Sequence, residues 1–252
     1  MSFLKSSRFR LWLVVLSLFA ISACAIQQPV KENSPRVFVV GDSTASYYKP
    51  ERYPRTGWAM RLQNHLADGV EVVNAAVSGR SSRSFIEEGH FNKVKEQIKQ
   101  GDYLLIQFGH NDQKTTNNRF TDPDNTYRDY LTQYINAARQ AGANPVLVTS
   151  INRYKFSQNG KLFLTLGDYP KAMHELGRTL SVPVIALNQK TKTLYETLGP
   201  EKSKKLFLFY APGEYAAYPN GVSDRTHLSV WGADEVVSLV VEDLKQIAPE
   251  LF

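Results

Sequence analysis

From Arg36 onward, short apolar runs alternate with longer segments in which apolar residues recur every three or four positions. The runs at 37–40, 70–73, 103–106, 145–148 and 182–185 are rich in β-branched residues and largely continuous, which predicts strands buried on both faces. Helical spacing predicts helices over 57–66, 84–100, 126–140, 168–180, 189–198 and 230–247, with Gly101 and Gly142 punctuating two of the ends. Strands alternating with helices imply a parallel sheet covered on both sides. The segment 209–223 has Pro, Gly and Tyr but little periodicity. It reads as a loop long enough to wall a groove.

The first residues follow a different pattern. Lys5, Arg8 and Arg10 precede an apolar stretch from 11 to 21, too short for a bilayer span of ~20 residues but suited to the core of an export signal. The chain's 1 cysteine, Cys24, closes that stretch in Ile21-Ser22-Ala23-Cys24, which resembles a bacterial lipobox. Ordinary cleavage after Ala25 also satisfies a small-x-small rule. The expected organisation is a lipoprotein signal peptide over 1–23, a tether over 24–35 and one folded domain over 36–252. Lipidation at Cys24 would place the protein in the cell envelope on the periplasmic side. Ala25 favours outer-membrane sorting, with a soluble periplasmic or secreted protein as the alternative.

The 252 residues are 42% hydrophobic, enough for one sizeable core, and a single cysteine leaves its stability to packing. Losing Lys5, Arg8 and Arg10 with the signal takes the formal charge from +6 to +3, so charge gives no reason to expect a nucleic-acid partner. A monomer is expected.

Three motifs then supply chemistry. Gly41-Asp42-Ser43 and Gly109-His110-Asn111-Asp112 each follow a predicted strand, where sites in parallel sheets gather, and Asp224-Arg225-Thr226-His227 lies near the C-terminus. A serine in a Gly-Asp-Ser-Thr turn would by itself read as a helix cap. The distant Asp-x-x-His changes that weighting, because a spacing of three on a turn or incipient helix lets Asp224 orient His227 while the other ring nitrogen faces Ser43.

On these residues the chain resembles the SGNH, or GDSL-type, hydrolases, and more narrowly their rhamnogalacturonan acetylesterase-like group. The resemblance spans about 37–247 and extends to Thr56-Gly57-Trp58, Asn74-Ala75-Ala76, Gly79-Arg80-Ser81-Ser82-Arg83-Ser84-Phe85 and the Pro212-Gly213-Glu214-Tyr215 loop. It implies a three-layer α/β/α sandwich with a parallel, flavodoxin-like sheet. It also implies a catalytic triad of Ser43, His227 and Asp224, with an oxyanion hole made of the Ser43 and Gly79 amides and the Asn111 side chain. Asp42 and Asp112 read as structural. Leu166, where many relatives carry His, is a departure.

For substrate contacts the expectation is Trp58, Arg80, Arg83 and His110, the arginines meeting uronate carboxylates. Tyr47, Tyr48, Tyr53, Tyr154, Tyr210, Tyr215 and Tyr218 suit stacking on sugars. The five histidines lack metal-ligand spacing and no nucleotide-binding glycine pattern occurs, so neither metal nor cofactor is expected. The expected function is hydrolysis of acetyl esters on a pectic saccharide. A lysophospholipase or thioesterase, a sugar O-acetyltransferase and a non-catalytic sugar-binding lipoprotein remain open alternatives.

Overall fold

Five parallel strands, β1 (Arg36–Gly41), β2 (Glu71–Asn74), β3 (Tyr103–Gln107), β4 (Asn144–Val148) and β5 (Val184–Ile185), form a sheet in the order β2-β1-β3-β4-β5. That order is the flavodoxin-like one and puts β1 between β2 and β3. The computed structural model describes residues 34–252. The expected signal peptide, Cys24 and nearly all of the expected tether lie outside them.

Alternate side chains of each strand feed two separate cores. Val37, Val39, Leu105, Val146 and Val148 pack with helices α1 (Ala59–Leu62), α6 (Leu187–Lys204) and α7 (Val230–Ile247). Phe38, Val40, Leu104, Ile106 and Leu147 face the other way, against α2 (Ser82–Glu87), α3 (His90–Lys95), α4 (Thr126–Gln140) and α5 (Tyr169–Leu180). The three layers follow from this two-sided burial. At the sheet's lower edge the buried Asp102 carboxylate holds the amides of Arg36 and Lys99 and the Arg36 guanidinium.

The expected strands all form, and α4 and α7 match their expected bounds. Elsewhere local chemistry moves the ends. The 84–100 helix is two helices, because Gly89 adopts a left-handed φ of 79° between them. It also begins earlier, at Ser82, where Ser81 and Ser84 form a reciprocal capping box. The 57–66 helix shortens to α1 and a 3-10 turn, since the amides of Thr56 and Trp58 are committed to Leu228 and Thr44. The 189–198 helix extends to Lys204 across a kink at Gly199 and Pro200.

The main difference lies in 207–228. Two antiparallel strands, β6 (Phe207–Tyr210) and β7 (Val222–Leu228), form a hairpin beside the sheet, so the expected groove loop is shorter and runs between them.

Candidate active site

The loop after β1 is a tight turn built around Asp42. Its carboxylate Oδ1 accepts from the Thr44 amide at 2.9 Å and the Thr44 hydroxyl at 2.8 Å, and its carbonyl accepts from Ala45 and Ser46. Burial pushes the Asp42 carboxyl up from its ordinary range, against those Thr44 bonds. The turn is clamped from both sides. Gln107, at the end of β3, donates to Thr44 and accepts from the Trp58 indole at 2.6 Å, while Asn74 at the end of β2 donates to the Ala45 carbonyl. Gly57 lies so close that a Cβ there would sit 2.1 Å from the Ser46 carbonyl oxygen.

This turn projects Ser43 toward β7. His227 Nε2 lies 2.9 Å from Ser43 Oγ, and His227 Nδ1 lies 2.6 Å from Asp224 Oδ2. The Asp224-x-x-His227 spacing works differently from the turn or incipient helix expected. Both residues belong to β7, where Leu208 pairs with Asp224 while its neighbour Phe207 pairs with Leu228. Residues 225–227 therefore bulge out of the ladder. The other Asp224 oxygen accepts the Thr226 and His227 amides at 2.8 and 3.0 Å, which closes the bulge and turns both side chains to one side.

The electrostatics suit an imidazole that gains a proton. Burial by itself would raise the Asp224 pKa, but the hydrogen bond and charge of His227 and the two amides outweigh it and hold it at about 2. The carboxylate thus stays ionised at any working pH.

The three donors expected to form the oxyanion hole, the Ser43 and Gly79 amides and the Asn111 side chain, differ in how far they are committed elsewhere. No acceptor among the described residues takes the amide hydrogens of Ser43 or Gly79. Gly79 has a left-handed φ of 83° and faces open space, so its identity is set by backbone conformation and not by a steric limit. The Asn111 amide nitrogen donates to the Arg80 carbonyl at 3.0 Å, and Lys114 Nζ donates to the Asn111 oxygen at 2.8 Å. Asn111 thus keeps one Nδ2 hydrogen uncommitted. Asp112 ties this block to α2 through the Ser82 amide and hydroxyl and to Thr121; burial pushes its pKa up to about 7 despite those bonds.

Two of the expected substrate contacts, Trp58 and His110, are buried and need correction. Trp58 is fully buried, and its indole is a clamp on Gln107. Arg80 and Arg83 are partly exposed and form surface ion pairs, with Glu88 at 2.6 Å and Glu87 at 2.9 Å, which a substrate carboxylate would share. His110 is buried; burial first, then Arg153, His227 and Lys114, push its pKa well below the ordinary value, so it is a neutral wall under the site. Tyr154 packs against Phe156, Phe207 and Phe209. Leu166 is also buried.

Tyr48 has a role that its place in an aromatic loop does not suggest. Its hydroxyl donates to the Ser43 carbonyl at 2.6 Å under the Arg55 guanidinium. Of the remaining tyrosines, Tyr53, Tyr210 and Tyr215 line an open cavity of about 470 Å³ together with Trp231. Lys114 and Gln107 stand in no motif that marks them as part of the site, and Tyr48 reads from sequence as a sugar-stacking candidate and not as a brace of the serine turn. Gln107 had one legible signal, being a polar residue in an otherwise apolar strand.

Comparison with known proteins agrees with this geometry. The model of the GDSL-like lipase/acylhydrolase family matches residues 39–234. The chain is 48% identical over 212 residues to the rhamnogalacturonan acetylesterase RhgT of Bacillus subtilis, covering 84% of this chain and 90% of that protein. It is 34% identical to a probable rhamnogalacturonan acetylesterase, YesY, of the same organism, covering 84% and 93%. The crystal structure of Bacillus subtilis YxiM superposes with a TM-score of 0.74 at 24% identity, over 87% of this chain and 58% of that longer one.

Proposed function

Because the chain belongs to the GDSL-like lipase/acylhydrolase family, we propose that it is a carbohydrate O-acetylesterase acting on acetylated pectic saccharides. The observation that carries this reading is the unbroken line of hydrogen bonds from Asp224 through His227 to Ser43, with the Ser43 amide itself uncommitted. The names of the two Bacillus relatives support the substrate.

In the proposed reaction, His227 Nε2 takes the Ser43 proton as Oγ attacks the acetyl carbonyl, and the negative charge on the carbonyl oxygen is met by the Ser43 and Gly79 amides and the Asn111 side chain. As the tetrahedral intermediate collapses, the sugar oxygen leaves with the proton from His227. Water then repeats the sequence on the acetyl-enzyme, releasing acetate and restoring Ser43. Asp224 stays ionised throughout and holds the imidazole in the tautomer whose Nε2 can accept.

The test is acetate release from a panel of acetylated polysaccharides beside aryl esters of rising chain length, with Ser43→Ala and His227→Ala as blanks. Pectic fragments should give the highest catalytic efficiency, since contacts remote from the ester can lower the barrier. Aryl butyrate should fall below aryl acetate, because each methylene that a small pocket rejects is worth ~1–3 kcal/mol. Faster hydrolysis of octanoate or a lysophospholipid would replace this reading with a lipase. Activity retained by Ser43→Ala would remove the nucleophile. Lipidation at Cys24, with the protein held at the outer membrane facing the periplasm, belongs to the same proposal and is supported by the lipobox-like sequence.

A further inference from the structure

The cations around the proposed oxyanion hole are distributed unevenly. Arg80 and Arg83 form ion pairs with Glu88 and Glu87, but no carboxylate among the described residues forms a salt bridge with Lys114. Its ammonium donates instead to the amide oxygen of Asn111, at 2.8 Å. The backbone reinforces this, since the Lys114 amide donates to the Asn111 carbonyl at 2.9 Å and folds 111–114 into one turn. On the other end of the same amide, Nδ2 donates one hydrogen to Arg80 O. Both the oxygen and one hydrogen of Asn111 are therefore fixed, and only the second N-H is open.

Resting on the proposed esterase reading, we infer that Lys114 is a positioning residue of the oxyanion hole, which locks the Asn111 side chain and polarises its free N-H toward the developing oxyanion. An amide whose oxygen accepts from a cation is a stronger donor through its nitrogen, because hydrogen bonds in series reinforce one another. The benefit grows as negative charge builds on the carbonyl oxygen. It therefore acts on the transition state more than on bound substrate, and its loss lowers kcat and leaves KM little changed. Partial desolvation first, then the nearby charges of Arg119 and Arg153, lower the Lys114 pKa, consistent with an ammonium that lacks an anionic partner.

Lys114 is an exposed side chain, so Lys114→Met should fold normally. The experiment is a double-mutant cycle with Asn111→Ala on 4-nitrophenyl acetate, a neutral substrate, after Ser43→Ala has shown that turnover depends on the serine. Loss of that dependence would defeat the esterase reading itself, separately from the role of Lys114. Asn111→Ala should lose on the order of 10²–10³ in kcat, as removal of one oxyanion donor does. Lys114→Met should lose about tenfold with KM unchanged, and less than about twofold when Asn111 is already Ala. Lys114→Arg should recover much of the loss. Where turnover of the double variant is too slow to read, the rate of Ser43 labelling by a fluorophosphonate repeats the cycle, because the phosphoryl oxygen occupies the same hole. Equal losses in both backgrounds would overturn the inference. So would a Lys114→Met effect confined to KM for uronate esters, which would make the lysine a substrate-carboxylate contact.

Discussion

Asp224 performs two tasks with its two oxygens. One orients His227 Nδ1 and the other closes the β7 bulge by accepting the Thr226 and His227 amides. Asp224→Asn keeps the size but replaces one oxygen with an NH₂ group, which cannot accept the Nδ1 proton and favours the wrong imidazole tautomer. A loss on the order of 10⁴ in kcat is expected, measured on aryl acetate at neutral pH. The same carboxylate carries a pH signature in stability. Its pKa is lowered from 3.8 unfolded to about 2 folded, so its contribution is fully present above the unfolded value and disappears as pH falls through the folded one. The urea midpoints of the native protein and of Asp224→Asn should therefore converge between about pH 3.8 and about pH 2. A constant gap across that window would mean that Asp224 does not couple to folding through its charge.

At the scale of elements, the serine turn is held by close approach of the 56–58 segment, and Gly57 is what permits it. A Cβ at that position would lie 2.1 Å from Ser46 O and 2.6 Å from the Ala45 carbonyl carbon, both backbone atoms that cannot swing away. Gly57→Ala should cost about 1–3 kcal/mol in an overpacked site and should also reduce kcat by displacing the turn. Urea unfolding and turnover measured on one preparation check both effects; unchanged values for both would show that the segment can retreat freely. Legibility in the sequence divides along the same line. The strands of the main sheet were readable because burial on both faces leaves long apolar runs, and α4 and α7 because each buries one regular stripe. The hairpin β6-β7 was not. Phe207–Tyr210 resembles any apolar stretch, and β7, reading Val-Ser-Asp-Arg-Thr-His-Leu, has polar residues and a bulge where a period of two would mark a strand.

Across the whole molecule, the strand order explains how residues far apart in the chain meet. With β1 central, the loops after β1, β2 and β3 emerge side by side, bringing the Ser43 turn, the Gly79 segment and the Asn111 turn together at one edge. The residue types of the three motifs pointed to this assembly. Substrate contacts were less legible, because Trp58 and His110 look alike in sequence whether they face sugar or core, and the Glu partners of Arg80 and Arg83 are met only after α2 folds. Residues 34–252 carry the whole proposed site within one unit, and Ser43 lies 19 positions after Cys24 in the chain. Catalysis should therefore be indifferent to what holds the N-terminus. In the proposed arrangement the intervening residues act as a tether, and a lipid on Cys24 supplies the membrane affinity. Cys24→Ser should move the protein from the membrane fraction to the soluble envelope fraction while leaving kcat/KM on aryl acetate unchanged. A native mature chain beginning at Ile26 with a free amino group, read by mass spectrometry, would replace the anchor with simple secretion and leave the esterase chemistry as proposed.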